Sequence, residues 1–565
     1  MKKLSILFIV LFTILLGGCT NSAHPTADII VSEQAINLNI NQTYNIDAEV
    51  IYAESSLSLG YKTSNKQVAT VSNDGLITAL TEGVAEITIF LTKYTQTKTV
   101  MTVNVLGNSN ISTINIFTLN DFHGAVFLDD DEAGFSRIGK YLIDQKTNYP
   151  NQTVILSAGD MFQGSAVSSL TRGDVVIDIM NAIGFDAMTI GNHEFDWGID
   201  GITRFIDDNN DNNEANFPLL GANIFQISRN DLAQWAHPYT VITRGNLRIG
   251  IIGLLGESQK GDILASIVSD YQFTNKMEAI SKYAKILRTD EDCDIVIASI
   301  HDDSSNINSQ IANLTGEYKV DAVINGHTHR YYAGEEARTD GAPLPFVQSG
   351  DNGRYIGKIT LTLNPTTKEV IDVSAENIRT ETNCTTESPL INDLINQYPE
   401  EIALAGEVLG TAGQDIYKEE TVTWAATALI SNPSTQVGVI NSGGIRSGAF
   451  PIYQNSTVTF GSIFKIMPFE NKVITLELTG AQLISLLSSG LRFSRNVDTS
   501  NQTINGASIV YHQTYQVVTI DFVFEGYEYY FSSGSNIVRS DDLFRDYLVQ
   551  KVKDSVLETG KWYLE

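Results

Sequence analysis

The stretch DAMTIGNHEFDWG, residues 186–198, places an amide, an imidazole and two carboxylates directly after a short apolar run. Such a run is typical of a buried strand in an α/β domain. A turn that contains Asn192, His193, Glu194 and Asp196 is energetically costly, because each buried polar group needs a hydrogen-bond partner. The chain has only eight histidines, so this junction indicates a functional site at the end of a strand.

The same kind of junction recurs on both sides of this stretch. Four other apolar runs, TINIFTL, TVILSAG, DIVIASI and KVDAVING, also end in polar residues. The side chains that follow them are Asp121, His123, Asp160, His301, His327 and His329. Because ligands bind at the carboxyl ends of strands in an α/β sheet, we expect these residues to converge on one rim. Their mixture of oxygen and imidazole ligands suits Zn²⁺ or Mn²⁺.

The alternation of short strands and helices extends over residues 112–363 and predicts an α/β domain. GFSRIGKYLIDQ and DVVIDIMNAIG are predicted helices within it. Residues 364–402 are polar and predict an interdomain linker, with a helical segment beginning near Pro389. Residues 403–565 have a mixed pattern and predict a further domain of the α+β class.

The amino terminus has the pattern of an export signal. Lys2 and Lys3 precede an apolar stretch that is too short for a spanning helix. Leu16-Gly17-Gly18-Cys19 resembles a bacterial lipobox, so residues 1–18 are expected to be a lipoprotein signal peptide and Cys19 to carry a lipid. With residues 19–27 as a tether, the mature protein would be anchored to the outside of the cell membrane.

Residues 28–107 alternate apolar and polar side chains in short runs, which predicts an all-β domain. The stretch YKTSNKQVATVSNDGLITALTEGVAEITI resembles the bacterial immunoglobulin-like domain of group 2, with Asn73-Asp74-Gly75 as its hairpin turn. This resemblance leaves two roles open, adhesion to a surface polymer and a spacer that lifts the next domain off the membrane. The spacer is the favoured one.

The composition limits the partners. A net charge of -29 argues against binding a nucleic acid duplex through its backbone, because that mode requires a basic surface. An anionic ligand would need locally bound cations, for which metal ions are the obvious source. Cys293 and Cys384 are too far apart in sequence to suggest a disulfide framework, and we expect both to be free.

The ordered set LNDFHG, GDMFQGS, GNHEFDWG, His301 and GHTH resembles the two-metal calcineurin-like phosphoesterases, specifically their 5'-nucleotidase branch. The resemblance runs from about Ile114 to the carboxyl terminus. It implies a multidomain protein in which an all-β Ig-like sandwich precedes a central α/β metallophosphoesterase with an α/β/β/α sandwich. A C-terminal α+β domain would then bind the substrate.

The resemblance also implies roles for the residues at the strand ends. One divalent ion would be held by Asp121, His123 and His329, and a second by Asn192, His301 and His327, with Asp160 bridging both. Two dications and two ligand carboxylates would leave a local charge of about +2, which attracts a phosphate. His193 would act on the phosphoryl group, and Asp196 would fix its tautomer. Glu194 and Phe195 are interpreted as structural.

Further motifs in the C-terminal domain imply a substrate pocket. VINSGGIRSG would contribute Asn441, Gly443, Gly444 and Arg446, and MPFENKV would contribute Phe469, an aromatic plate for a base, and Asn471. Two positions depart from the family pattern. Tyr417, followed by Lys418, stands where an arginine is usual. The family's GGDGY loop is replaced by FEGYEYYFSSGSN, in which Tyr527, Tyr529, Tyr530 and Phe531 are the candidates for an opposite plate.

The sequence therefore predicts a cell-surface, metal-dependent phosphoric ester hydrolase. The first hypothesis is a 5'-nucleotidase that releases nucleoside and phosphate by direct hydrolysis with two metal ions. The same site would also suit a 2',3'-cyclic-nucleotide phosphodiesterase or a UDP-sugar hydrolase. A hypothesis of another class is a surface adhesion protein with an inactive phosphoesterase scaffold. The complete set of metal ligands argues against it.

Overall fold

The computed structural model describes residues 28–51, 57–106, 113–129, 132–207, 209, 213–302, 304, 306–430 and 435–564. The predicted signal peptide, the tether and Cys19 lie outside these residues. The chain divides into two compact units, Met1–Ser109 and Asn110–Glu565. Within the described ranges, none of the helices combines the length and the apolar character needed to cross a membrane.

The first unit is the predicted all-β sandwich. Its described strands are β1 (Asp28–Val31), β2 (Ala35–Asn39), β3 (Thr43–Asn45), β4 (Ala48–Ile51), β5 (Leu59–Thr63), β6 (Ala69–Val71), β7 (Leu76–Ala79), β8 (Gly83–Leu91) and β9 (Lys98–Leu106). They form sheets with the orders β2-β9-β8-β5, β3-β7-β6 and β1-β4. Alternate side chains of β8, Ile87, Ile89 and Leu91, are buried together with Ile77 of β7, so the sheets share one core.

The second unit begins with the predicted α/β domain. Its elements are β10 (Thr113–Leu119), α1 (Gly134–Asn148), β11 (Thr153–Ser157), α2 (Ala166–Leu170), α3 (Asp174–Ile183), β12 (Ala187–Thr189), α4 (Ile199–Thr203), β13 (Leu219–Leu220), β14 (Ile224–Gln226), β15 (Asp231–Leu232), β16 (Tyr239–Arg244), β17 (Leu247–Leu255), β18 (Tyr271–Phe273), α5 (Lys276–Thr289), β19 (Ile295–His301), α6 (Ile307–Ala312), β20 (Ala322–Gly326), β21 (Tyr331–Glu336), β22 (Leu344–Ser349), β23 (Tyr355–Leu363), β24 (Val370–Arg379) and α7 (Thr380–Asn383). The apolar runs quoted above coincide with β10, β11, β12, β19 and β20.

Two six-stranded sheets form the centre of this domain. Their orders are β13-β12-β11-β10-β23-β24 and β16-β17-β19-β20-β22-β21. In the first sheet β10 to β13 are parallel, and in the second β17, β19, β20 and β22 are parallel. Ile116 and Leu156 of one sheet pack with Ile251 and Ile297 of the other, so the sheets lie face to face.

Helices cover the outer faces of both sheets. Side chains of α1 and α3 share a buried cluster with β10 and β11, and those of α5 and α6 share another with β17 and β19. Each helix turns an apolar side to its sheet, as Ile138 and Leu142 of α1 illustrate. The predicted α/β/β/α architecture is thus confirmed. It brings the carboxyl ends of the parallel strands of both sheets to one rim.

The expected linker over residues 364–402 differs from the structure. Residues Val370–Arg379 form β24, which pairs antiparallel with β23 and is the edge strand of the first sheet. Only Val373 in this strand is buried, which explains why its polar sequence suggested a linker. The helices α8 (Pro389–Ile395) and α9 (Pro399–Ala405) follow, and Ile391 and Ile395 pack into the phosphoesterase core.

The remaining residues form a second α+β core, as predicted. Its elements are β25 (Val408–Thr411), α10 (Lys418–Ala428), β26 (Val437–Ile440), β27 (Thr457–Thr459), α11 (Phe460–Ile466), β28 (Lys472–Thr479), α12 (Gly480–Leu486), β29 (Arg492–Phe493), β30 (Val497–Asp498), β31 (Thr503–Ile504), β32 (Ala507–Ser508), β33 (Thr514–Ile520), α13 (Asp521–Gly526), α14 (Glu528–Phe531), β34 (Ser535–Leu543) and α15 (Phe544–Thr559). The main sheet has the order β29-β26-β33-β28-β34, and β26 and β33 are parallel.

Candidate metal centre and substrate pocket

Two clusters of acidic and imidazole groups lie at the rim of the central sheets. One contains Asp121, His123 and His329, and the other contains Asp160, His301 and His327. Within each cluster the potential ligand atoms all lie within 4.8 Å of one another. The side chains come from the ends of β10, β11, β19 and β20, so the convergence expected from the sequence is present in the fold.

The amide of Asn192 completes the second cluster. Its Oδ1 lies 3.0 Å from His301 Nε2 and 3.0 Å from His327 Nδ1. Asp160 Oδ2 lies 3.1 Å from His301 Nε2, and in the first cluster His123 Nε2 lies 3.1 Å from His329 Nε2. The structure therefore brings together all seven residues that the sequence suggested as metal ligands.

The backbone at these residues is strained. Asp121, His123, Asp160, His327 and His329 all have positive φ, between 49° and 82°. The left-handed region costs any residue with a β-carbon more than it costs glycine, although asparagine, aspartate and histidine adopt it more often than the rest, and such conformations concentrate at functional sites. Five strained residues converging on two clusters indicate that the loops are built to aim these side chains, since the strain itself destabilises the fold.

The buried charges fit divalent cations. Burial lowers the pKa of His123, and the neighbouring Arg446 lowers it further, so this imidazole is neutral as a metal ligand requires. Burial also disfavours the charged form of His301, but the carboxylates of Asp160 and Asp121 outweigh it and raise its pKa to about 10. In the absence of a cation the second cluster therefore holds a proton, which a metal ion would displace.

Hydrogen bonds orient two of the imidazoles. His301 Nδ1 lies 2.7 Å from the backbone oxygen of Ala158, and His123 Nδ1 lies 2.9 Å from that of Gln163. A carbonyl partner requires a proton on Nδ1, which leaves Nε2 as the free ligand atom. His123 is thus set for metal coordination before any ion arrives, whereas the protonated His301 must first lose its Nε2 proton.

His193 stands beside both clusters and belongs to neither. Its Nδ1 lies 2.9 Å from Asp196 Oδ2, and its ring packs edge-on against the ring of His123. Burial lowers the pKa of His193, but Asp196 and Asp160 outweigh burial and leave it above its ordinary value. The predicted pairing of His193 with Asp196 is present, and it favours a protonated imidazole.

A cavity opens beside the second cluster, between the phosphoesterase core and the C-terminal core. It is lined by Asn192, His193 and His327 on one side and by Asn441, Gly443, Gly444, Arg446, Phe469 and Asn471 on the other. Phe469 stacks against His193 with ring centroids 5.7 Å apart. Asn441 Oδ1 is buried and finds no hydrogen-bond partner in the part of the chain that the structure describes. All predicted substrate residues thus line the cavity that Asn192 and His327 of the second cluster also line.

The structure adds residues to this pocket that the sequence reasoning missed. Phe522 and Asp521 line the cavity, and Asn471 donates a hydrogen bond of 3.0 Å to Asp521. Asp521 and Phe522 directly follow β33. The expectation that ligands bind at the carboxyl ends of strands, applied to the C-terminal sheet, would have identified them. Asp262, Leu264 and Ile267 complete the wall from the loop after β17, where no motif marks them.

The candidates for the second aromatic plate lie elsewhere. Tyr529 is 84% exposed, and Phe531 is buried in the core of the C-terminal domain. Tyr527 and Tyr530 pack against the same core. None of the four lines the cavity, so Phe522 is the aromatic residue that shares it with Phe469.

A second cavity opens beside the first cluster, and Arg446 lines both. It contains His123, His329, Lys418 and Lys465. Lys418 lines this cavity and its Nζ donates a hydrogen bond of 2.9 Å to Ser447 Oγ, so this lysine brings a positive charge to the cavity. Tyr417, which stands where the family usually has an arginine, is 51% exposed. The acidic residues Glu132 and Asp351, which also line the cavity, both pair with Arg354.

The fold and the paired clusters define a metal-dependent phosphoester hydrolase. Residues 114–331 match the family model of the calcineurin-like phosphoesterases, residues 407–533 that of the 5'-nucleotidase C-terminal domain, and residues 25–103 that of the bacterial Ig-like domain of group 2. The chain therefore contains a calcineurin-like phosphoesterase domain and a 5'-nucleotidase C-terminal domain, with a bacterial Ig-like domain of group 2 in front.

Individual relatives agree with this assignment. Cell wall protein Lmo0130 of Listeria monocytogenes is 25% identical over 78% of this chain and 67% of its own length. An apyrase of Tabanus yao is 26% identical over 71% of this chain and 78% of its own. The crystal structure of a 5'-nucleotidase precursor from Thermus thermophilus covers 78% of this chain and 96% of its own, with 20% identity and a TM-score of 0.66. Endonuclease YhcR of Bacillus subtilis is 27% identical over 66% of this chain, and the match spans only 32% of that relative's length.

Proposed function

We propose that the protein is an extracellular 5'-nucleotidase that hydrolyses nucleoside monophosphates to nucleoside and phosphate. The observation that carries the proposal is a single cavity in which candidate metal ligands meet two aromatic rings, Phe469 and Phe522. We assign hydrolysis to residues 112–363 and selection of the substrate to residues 403–565. The 5'-nucleotidase C-terminal domain supports this division.

Each cluster would hold one divalent ion, with Asp160 between the two. When bound, such ions activate water and stabilise charge on a phosphoryl group. Asp196 accepts the proton of His193 Nδ1 and favours the protonated imidazole, whose Nε2–H can donate to a phosphoryl oxygen as negative charge develops there. Arg446, whose Nη2 lies 3.4 Å from His123 Nε2, adds a fixed positive charge at the same place.

The nucleoside would occupy the aromatic part of the cavity. Phe469 and Phe522 offer stacking surfaces that accept any base, and Asn471 and Asp521 offer polar contacts to the base or the sugar. Asn441 Oδ1 is an acceptor without a partner among the described residues, so a donor group of the substrate would satisfy it.

A panel of AMP, UDP-glucose, 2',3'-cAMP and glucose 6-phosphate tests this proposal. We expect AMP to have the highest kcat/KM, a divalent ion to be required, and a chelator to abolish hydrolysis of every substrate. Full activity after complete metal removal would contradict the metal assignment. A preference for glucose 6-phosphate would contradict the nucleotide assignment while leaving the metal centre intact.

The second cavity favours one alternative, the hydrolysis of a nucleoside diphosphate sugar. A monoester has a substituent on one side of phosphorus only, whereas Lys418 supplies a cation in the second cavity, which neither Phe469 nor Phe522 lines, and Arg446 stands between the two cavities. Neither forms an ion pair with a carboxylate within the described ranges. UDP-glucose hydrolysis that exceeds AMP hydrolysis, and that Lys418→Ala lowers selectively, would favour this alternative.

The aromatic rings lead to a prediction about specificity. Phe522→Ala should raise the KM for AMP about tenfold, because stacking on one ring is worth about 1 to 3 kcal/mol. It should leave hydrolysis of p-nitrophenyl phosphate unchanged. Phe469→Ala should raise the same KM and also lower kcat for both substrates, since Phe469 supports His193. Steady-state kinetics of both variants on both substrates provide the measurement.

Two other outcomes would argue against this assignment. An equal loss on both substrates for Phe522→Ala would mean that the ring supports the fold and does not bind a base. Unchanged kinetics in both variants would place base recognition outside this cavity.

We propose that the protein is anchored outside the cell by a lipid on Cys19, with the Ig-like domain as a spacer. The similarity to a listerial cell wall protein supports an extracellular location. The lipobox pattern before Cys19 supports the anchor, and a surface polymer is the partner proposed for an adhesive Ig-like domain.

Cys19→Ser tests the anchor. Because serine cannot form the thioether, we expect the variant to leave the membrane fraction or to keep its signal peptide. Immunoblots of cell fractions measure this, and Cys384→Ser serves as a control because Cys384 is a buried free thiol. Normal processing with unchanged membrane association would show that another segment anchors the protein.

A further inference from the structure

Glu194 is a buried carboxylate for which the proposed reaction has no use. It lies in the short 3-10 helix His193–Phe195 and has no exposed surface. The sequence predicts only a structural role for it. Among the described residues, the hydrogen bonds of its side chain go to the two loops that carry Asp160 and Asn192.

Both oxygens of Glu194 accept hydrogen bonds from backbone N–H groups. Oε1 accepts from Met161 at 2.9 Å, and Oε2 accepts from Asp160 at 2.9 Å and from Gly191 at 2.7 Å. Asp160 and Met161 belong to the loop after β11, and Gly191 belongs to the loop after β12. One side chain therefore joins the two loops from the side away from the cavity.

The two loops also touch directly. Asp160 Oδ1 accepts a hydrogen bond of 2.9 Å from the backbone N–H of His193. A β-carbon at Gly191 would lie 2.2 Å from Asp160 Oδ1, so only glycine permits this approach. Asp160 itself has a strained φ of 55°. Without Glu194, three N–H groups at the point of contact would lack partners, and this conformation would lose its support.

We infer that Glu194 is a positioning residue that clamps the loops of Asp160 and Asn192 together and so fixes Asp160, the residue proposed to stand between the two ions, against the other ligands of the second cluster. This inference rests on the proposed metal centre. Residues that hold the ligands of a metal in place commonly change metal affinity by 10- to 100-fold when they are replaced. The clamp acts on the backbone, so it is formed before any ion binds.

Glu194→Gln tests this role, because glutamine keeps the shape and turns an N–H₂ group toward at least one backbone donor. We expect the variant to bind Mn²⁺ at least tenfold more weakly in calorimetric titrations. We also expect the magnetic exchange between two bound Mn²⁺ ions, measured by electron paramagnetic resonance, to change. Asp186→Asn is the matched control, since Asp186 Oδ2 accepts the N–H of Ile155 at 2.9 Å at the opposite end of the same strands.

The control should lose thermal stability but keep the affinity and the spectrum of the wild type. A Glu194→Gln variant that behaves like the control, with a lower melting temperature and unchanged Mn²⁺ binding, would overturn the inference. A wild-type protein that binds no pair of ions would instead overturn the proposed function.

Amide hydrogen exchange tests the clamp without any variant. In the metal-free wild-type protein we expect slow exchange at Asp160, Met161 and Gly191, because Glu194 already holds these N–H groups. Rapid exchange that becomes slow only when metal is added would show that the ions, and not Glu194, bring the loops together. That result would overturn the inference even if the Glu194 variants failed to fold.

Discussion

Asp160→Asn is expected to lower kcat/KM for AMP about a thousandfold or more and to reduce the metal content below two ions per chain. The side chain is buried, with one oxygen 3.1 Å from His301 and the other bonded to the N–H of His193. Asparagine preserves the shape but removes one of the two carboxylates that offset the ions. Metal-ion catalysis is worth several kcal/mol, and this change should weaken both sites.

Kinetics and elemental analysis of the same preparation measure this effect. Asp186→Asn provides the control, because it makes the identical chemical change just before β12, at the amino-terminal end of the neighbouring strand and away from both clusters. Two retained ions and activity within tenfold of the wild type would show that Asp160 is dispensable and that the ions are held by other residues.

His193→Gln is expected to lower kcat about 100- to 1,000-fold while the KM for AMP changes little. His193 is outside both clusters, so the variant should keep two ions per chain. Glutamine can still donate a hydrogen bond, but it cannot carry the positive charge that Asp196 favours on the imidazole. Asp196→Asn should produce a loss of the same kind, because it removes the partner that holds the tautomer.

The separation between kcat and KM is the decisive readout for His193. A large increase in KM with an unchanged kcat would mean that His193 binds the ground state and takes no part in the chemical step. A loss of metal would mean that its ring supports the His123 ring, against which it packs.

Strand ends explain why much of the site could be predicted from the sequence. In a parallel sheet the chain must leave each strand at the same edge, so Asp121, Asp160 and His301 meet although they are far apart in sequence. Phe522 obeys the same rule after β33 and was missed only because the rule was not applied to the C-terminal domain. The family resemblance points instead to Tyr527, Tyr529, Tyr530 and Phe531, which lie on the surface, against the core or within it.

Other features depend on information that periodicity does not carry. The polar strand β24 belongs to the sheet because it lies at an edge, where one buried side chain suffices. Lys418, the first residue of α10, contacts Ser447 and lines the second cavity. Its position next to Tyr417 in the sequence does not predict this contact. The role of Glu194 depends on backbone N–H groups, which have no signature in the sequence at all.

The left-handed backbone at the candidate ligands has a consequence for protein engineering. Asp121, His123, Asp160, His327 and His329 each adopt a conformation that glycine accepts at less cost. A library screened for thermostability in a chelating buffer would therefore enrich glycine wherever the strained backbone costs more than the side-chain contacts that glycine removes, and would discard the ligands there. The same library screened with Mn²⁺ present would retain them, because bound ions stabilise only the folded protein that can hold them. Resistance to heat and hydrolytic capacity are thus opposing traits in this chain unless the ion is supplied during selection.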